Sequence, residues 1–90
     1  MKSFDDNLIS SIEVVAKEII SCFKRGNKLL ICGNGGSASD SEHLATEFLS
    51  SFNKQISRKS LPAIALTANS AFLTAYSNDF SYSGVFSRQI

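Results

Sequence analysis

Ninety residues with nine basic and eight acidic side chains carry a net charge of +1 and have room for one small domain. That balance excludes a global attraction to nucleic acid or to an anionic membrane surface. Two cysteines, Cys22 and Cys32, are too few for a disulfide scaffold, Asp5, Asp6 and Asn7 leave no apolar signal core, and no apolar run reaches membrane-spanning length, so a soluble cytoplasmic protein with free thiols is expected.

Residues 5–25 read as a helix, because Leu8, Ile9, Ile12, Val15, Ala16, Ile19, Ile20 and Phe23 recur at three- and four-residue steps. Asp5, Asp6 and Asn7 supply caps, Lys24 and Arg25 a basic last turn, and Gly26 the terminating glycine. Glu13 and Lys17 are spaced for an i,i+4 ion pair. The apolar band is wider than one sheet face needs, so residues 1–26 are expected to contribute to an oligomer interface. A buried strand over 28–32 runs into a glycine turn at 33–36. The second helix runs from Ser37 to about Ser51, with Ser37 as N-cap and Asp40 as the carboxylate of a capping box.

Residues 53–60 lack periodicity and read as an exposed loop. Leu61 to Leu66 reads as a second buried strand, with Pro62 confined to its first residues. A short helix over about 70–76, a loop at Ser77, Asn78 and Asp79, and a helix from Ser83 or Gly84 onward complete the chain. This alternation predicts an α/β fold, an open Rossmann-like parallel sheet flanked by helices. Two strands do not complete such a sheet, whose faces must both be covered. The chain also stops in mid-helix at Ile90, so residues 27–90 are expected to be the first half of a larger domain.

The chemistry concentrates after the first strand. Gly33, Gly35 and Gly36 let backbone N–H groups converge where a helix begins, and the helix adds its positive dipole end. Such a turn binds phosphate or is merely a tight connection; it matches neither the dinucleotide fingerprint nor the P-loop. The Ser37 hydroxyl, placed where the free N–H groups point, favours the anion. With His43 at zero on a helical wheel, Glu47 lies at about 40° and Asp40 at about 60°, while Leu44, Phe48, Ala45 and Leu49 form a core stripe from about 100° to 240°.

His43 and Glu47 therefore face away from their own core. They form either a solvated face or two ligands of a zinc-like ion whose remaining ligands come from elsewhere. Asp40 would repel a phosphate and suits capping better. Lys54, Arg58 and Lys59 are either solvated charges or neutralise an anionic substrate. Asn78 and Asp79 follow the second strand, at the end of the sheet where open α/β folds bind ligands, though Asx residues also simply form turns.

Several motifs agree with one family. Cys32-Gly33-Asn34-Gly35-Gly36-Ser37, His43-Leu44-Ala45-Thr46-Glu47, Leu61-Pro62-Ala63-Ile64-Ala65-Leu66, Ser77-Asn78-Asp79-Phe80 and Val85-Phe86-Ser87-Arg88-Gln89 together resemble the phosphoheptose isomerase branch of the sugar isomerase (SIS) domain proteins. The resemblance covers roughly residues 8–90. It implies a homotetramer with active sites shared between subunits, Zn²⁺ as cofactor, and conversion of sedoheptulose 7-phosphate to D-glycero-D-manno-heptose 7-phosphate for surface glycans such as lipopolysaccharide or capsule. By position it implies substrate contacts at Asn34, Gly35, Gly36, Ser37, Glu47, Asn78 and Asp79, zinc ligands at His43 and Glu47, and acid–base catalysis by Glu47.

The implied reaction is proton transfer through a cis-enediol, with zinc polarising the carbonyl. The family's later phosphate loop and its late Gln and His lie outside these residues. A basic residue common near the position of Ser51 is also absent, so this chain alone is expected to be inactive. The contrasting readings are a non-enzymatic SIS regulator of the replication initiator, in which the glutamate at the Glu47 position is missing, and a sugar-phosphate sensor.

Overall fold

Helix α1 (Lys2–Lys24) stops where the sequence supplies a glycine. In the computed structural model, which describes residues 2–51 and 53–90, Gly26 takes φ 76°. The Gly26 N–H donates to Phe23 O and the Asn27 N–H to Cys22 O, both at 3.0 Å, the paired bonds of a Schellman stop. The Cys22 thiol donates to Lys28 O at 3.3 Å, and the chain turns straight into strand β1 (Leu29–Ile31). The helix begins earlier than the Asp5 start expected, so Asp5 complements the dipole from within the first turn instead of capping. Glu13 and Lys17 do not close into an ion pair; both side chains are exposed, and fixing them costs entropy that a solvated pair does not recover.

β1 pairs in parallel with β2 (Ala63–Ala65), with Leu29 opposite Ala63, Leu30 opposite Ile64 and Ile31 opposite Ala65. Flanking bonds from Leu29 N–H to Pro62 O (2.9 Å) and Leu66 N–H to Ile31 O (2.8 Å) extend the ladder. Both strands are shorter than the expected 28–32 and 61–66. Pro62 offers no donor, and Cys32, expected on a buried strand, is already exposed at the start of the glycine turn.

Helix α2 (Gly36–Leu49) makes the crossover and packs on β2. The core comprises Ser41 and Ala45 from α2, Ala63 and Leu66 around β2, and Val85. Alanines at 45 and 63 let helix and sheet approach closely, and the Ser41 hydroxyl is satisfied by Ser37 O at 2.7 Å. Phe23 packs against Phe48 with the rings tilted by 58° and their centroids 5.5 Å apart, joining the end of α1 to α2. Leu44 and Leu49, expected in the core stripe, stay 45% and 48% exposed because the two-stranded sheet is narrower than the helix face laid on it.

Helix α3 (Ser70–Asp79) starts at an Asx cap, the Asn69 side chain accepting the Phe72 N–H at 3.0 Å. Phe72 stacks on Tyr76 and Tyr76 packs tilted against Phe80, at i,i+4 steps with centroids 5.5 and 5.0 Å apart, which carries the helix past residue 76. Asn78 and Asp79 therefore occupy its last turn instead of the expected loop. The expected final helix is two 3₁₀ turns, Tyr82–Gly84 and Ser87–Gln89. Tertiary bonds override continuous α-helix there: Gln89 Nε2 donates to Leu66 O at 2.8 Å and to Val85 O at 3.0 Å.

The radius of gyration is 15.8 Å, against about 12 Å for a compact domain of this length. Leu8, Ile9, Ile12, Val14, Val15 and Ile20 on α1 are each more than half exposed. No described helix is long and apolar enough to cross a membrane.

Candidate functional site

The glycine turn is built by two separate constraints. Gly35 adopts φ 57°, and a Cβ at Gly33 would lie 2.6 Å from the Ser37 Cβ and 2.9 Å from its carbonyl. Only residues without a Cβ let the chain reverse so tightly from β1 into α2. Gly35, not Ser37, is the N-cap, and no side chain caps the helix. The turn closes on itself through Ser37 N–H to Asn34 O and Ala38 N–H to Gly35 O, each 3.0 Å, leaving the capping-box roles of Ser37 and Asp40 unfilled. Among the described residues the Gly35 and Gly36 N–H groups have no acceptor, and both glycines are exposed, as is Ser37. A helix start with free donors suits an anion.

Further along α2, His43 Nε2 lies 3.2 Å from Glu47 Oε1, the one close contact between a basic side chain and a carboxylate among the described residues. The His43 side chain is 77% exposed and that of Glu47 34%. They line a cleft of about 640 Å³ with Leu44, Phe48, Arg58 and Leu61. The outward stripe expected from the helical wheel is thus present, and Leu44 flanks it instead of entering the core.

Two tetrahedral ligands with bonds of about 2.0–2.1 Å sit roughly 3.3 Å apart, so the His43–Glu47 spacing suits two corners of a zinc site. Among the described residues no group of three metal-ligating side chains occurs. The pair fits zinc only as part of a site completed by other ligands.

Along the α2 axis His43 stands about 9 Å from Ser37, so the free N–H groups and the His43–Glu47 pair occupy different parts of one helix. Asn34, in the turn, accepts a hydrogen bond from the Tyr82 hydroxyl. Asn78 Nδ2 donates to Asp79 Oδ1 at 3.2 Å, and neither residue lines the His43–Glu47 cleft. Within one chain, then, Asn34, Gly35, Gly36 and Ser37 form the turn, His43 and Glu47 pair, and Asn78 and Asp79 bond to each other outside the His43–Glu47 cleft.

Sequence reasoning passed over Tyr82 and Thr67 and missed the partners of Arg58. Tyr82 carries no local signal, being 48 positions from its partner Asn34. Thr67 lies two residues past β2 and donates to Glu42 Oε2 at 3.2 Å. Arg58, expected either as a solvated charge or as a partner for an anionic substrate, instead donates from Nη2 to Glu47 O at 2.6 Å and from Nη1 to Phe48 O and Lys59 O, both at 2.9 Å. A signal for it did exist, since α2 ends in Ser50 and Ser51 with no glycine stop and no basic residue in its last turn.

The SIS domain family model matches residues 1–90. Phosphoheptose isomerase of Synechocystis sp. is 56% identical over 89 residues, which is 99% of this chain and 45% of that protein. Phosphoheptose isomerase of Clostridium acetobutylicum is 49% identical over 86 residues, 96% of this chain and 43% of that protein. The solved phosphoheptose isomerase of Neisseria gonorrhoeae superposes with a TM-score of 0.76 at 36% identity, covering 98% of this chain and 44% of the other. The Francisella tularensis structure gives 0.76 at 34% identity, covering 98% and 50%. The chain thus spans about half the length, or less, of the relatives it matches.

Proposed function

We propose, from the premise that the chain belongs to the SIS domain family, that it supplies the glycine turn and the His43–Glu47 pair of an aldose–ketose isomerase acting on sedoheptulose 7-phosphate. The observation that carries this is the His43–Glu47 contact at 3.2 Å on a solvent-open cleft. It lies on the helix that opens with unpaired N–H groups, in a chain similar to proteins named phosphoheptose isomerase. The product is D-glycero-D-manno-heptose 7-phosphate, destined for heptose-containing surface glycans.

In this reading the Gly35 and Gly36 N–H groups and the Ser37 hydroxyl bind the anionic end of the substrate, and Asn34 adds a polar contact. Binding energy gathered far from the reacting carbons then positions them. Glu47 moves the proton between adjacent carbons through a cis-enediol, a role open to a carboxylate that is part-shielded yet reaches the cleft. An acid–base partner from the segment or subunit that completes the site carries the hydroxyl proton from one oxygen to the other. Asn78 and Asp79 bind sugar hydroxyls in the assembled site. His43 Nε2 and Glu47 Oε1 are the two donors that would hold Zn²⁺, whose chemistry is to polarise the carbonyl.

Because these residues provide only two metal donors, the 90-residue chain alone is inactive, and a further segment or subunit completes the site. Ser11, Ile12, Val15, Ala16 and Ile19 line an uncovered apolar groove of about 370 Å³ on α1, which supports this helix as an interface between copies in a homotetramer. The reading also holds the protein to be cytoplasmic.

The test is isomerase activity on sedoheptulose 7-phosphate with added zinc, for the 90-residue chain and for the full-length protein containing it. Turnover only in the longer protein is expected. Sugar-phosphate binding without turnover in both would turn the reading to a regulator or sensor.

A further inference from the structure

The C-terminal turn of α2 carries Glu47 yet lacks its own means of termination. Ser50, in the C-cap position, donates its N–H to Thr46 O at 2.8 Å. The next carbonyls, of Glu47 and Phe48, belong to the set that every helix end leaves without an intrahelical donor. Arg58 supplies both, with Nη2 on Glu47 O at 2.6 Å and Nη1 on Phe48 O at 2.9 Å. The Leu61 N–H adds a second bond to Phe48 O at 3.0 Å.

We propose that Arg58 is the positioning residue for Glu47, its guanidinium fork gripping the Glu47 and Phe48 carbonyls so that the Glu47 side chain is held at the cleft beside His43. The inference rests on the reading of Glu47 as the acid–base group. The fork matters because two successive carbonyls point along the helix axis side by side, and a planar group with several donors spans them where a single ammonium does not. Its positive charge also sits at the negative end of the α2 dipole, and charge-assisted bonds are the stronger kind.

The loop delivers Arg58 from an ordered base. Asn53 Oδ1 accepts the Gln55 N–H at 3.0 Å, and Asn53 O accepts the Ile56 N–H at 3.1 Å and the Ser51 hydroxyl at 2.8 Å. Arg58 lines the same cleft as His43 and Glu47. With both terminal nitrogens bonded to carbonyls, including Lys59 O, it is poorly placed to act as the main receptor for a substrate anion.

The experiment compares R58A, R58K and E47Q with the wild type in the full-length protein. It measures kcat and KM for the sugar phosphate, and amide hydrogen exchange over residues 46–51. For R58A we expect kcat to fall about 10- to 100-fold, KM to stay within about threefold, and exchange over 46–51 to rise by about tenfold or more. Added guanidinium ion should restore part of the R58A turnover, and R58K should stay impaired.

A KM raised by about tenfold with kcat intact would make Arg58 an anion receptor and overturn the proposal. Unchanged exchange in R58A, or full turnover in R58K, would also overturn it. Wild-type turnover in E47Q would remove the acid–base reading and the positioning role with it. That failure is separable from the others because the exchange measurement reports the grip of Arg58 directly.

Discussion

A Cβ on Gly33 would stand 2.6 Å from the Cβ of Ser37, closer than real side-chain carbons approach one another. The turn that follows β1 and the first turn of α2 meet at this point, and the placement of the Gly35 and Gly36 N–H groups proposed to bind the substrate anion depends on it. Gly33→Ala should therefore push α2 away from the strand. We expect a loss of about 1–3 kcal/mol, the usual cost of overpacking, together with weakened phosphate binding. Denaturant midpoints and phosphate titration of the full-length protein check this, and a variant with both unchanged would show that the turn relaxes freely.

Glu47→Gln preserves shape and removes the basic oxygen. Turnover should fall by at least about 100-fold, the lower range for losing a general acid–base group, while size-exclusion elution stays the same. His43→Ala should reduce zinc retained after dialysis, measured by elemental analysis. Undiminished zinc in that variant would strike His43 from the ligand set.

The α/β alternation, the parallel pair of strands and the outward His43–Glu47 stripe were legible because they rest on local periodicity and on glycine spacing. Within β1 and β2 the expected burial is met only at Ala63, since Leu30 and Ile64 stay 39% and 44% exposed on a sheet of two strands. What escaped the sequence was settled by tertiary partners. Asn78 and Asp79 are helical because an aromatic ladder through Phe72, Tyr76 and Phe80 prolongs α3. The 3₁₀ turns exist because Gln89 bonds back to Leu66 O. Ser37 looked like a cap by residue type, but the backbone of Gly35 and Asn34 had already taken that function. Arg58 was visible only as a charge, since its partners lie ten and eleven positions earlier in the chain.

Asn69→Ala removes the acceptor for the Phe72 N–H at the start of α3. A loss of about 1 kcal/mol is expected for an N-cap deletion, with Asn69→Asp close to wild type. Thermal unfolding of the two variants side by side decides it, and equal destabilisation by both would deny the cap its role.

Charge introduced into the α1 groove tests the proposed interface. Ile12 and Val15 are more than half exposed in the single chain, so Val15→Asp should leave the fold of the subunit intact. Light scattering should then show a smaller assembly than the wild type, whereas an unchanged mass would move the interface elsewhere.

The parallel register of β1 and β2 has a kinetic consequence. With Leu29 opposite Ala63, no ladder bond between them can form until the glycine turn, α2 and the Arg58 loop have brought the second strand back alongside the first. Pairings so distant in sequence are slow to close because loop entropy is lost before any bond rewards it. Helix α2, docked through Ala45 onto Ala63, is then the scaffold on which the sheet is zipped. Core substitutions there should slow refolding, measured by stopped-flow, more than they hasten unfolding.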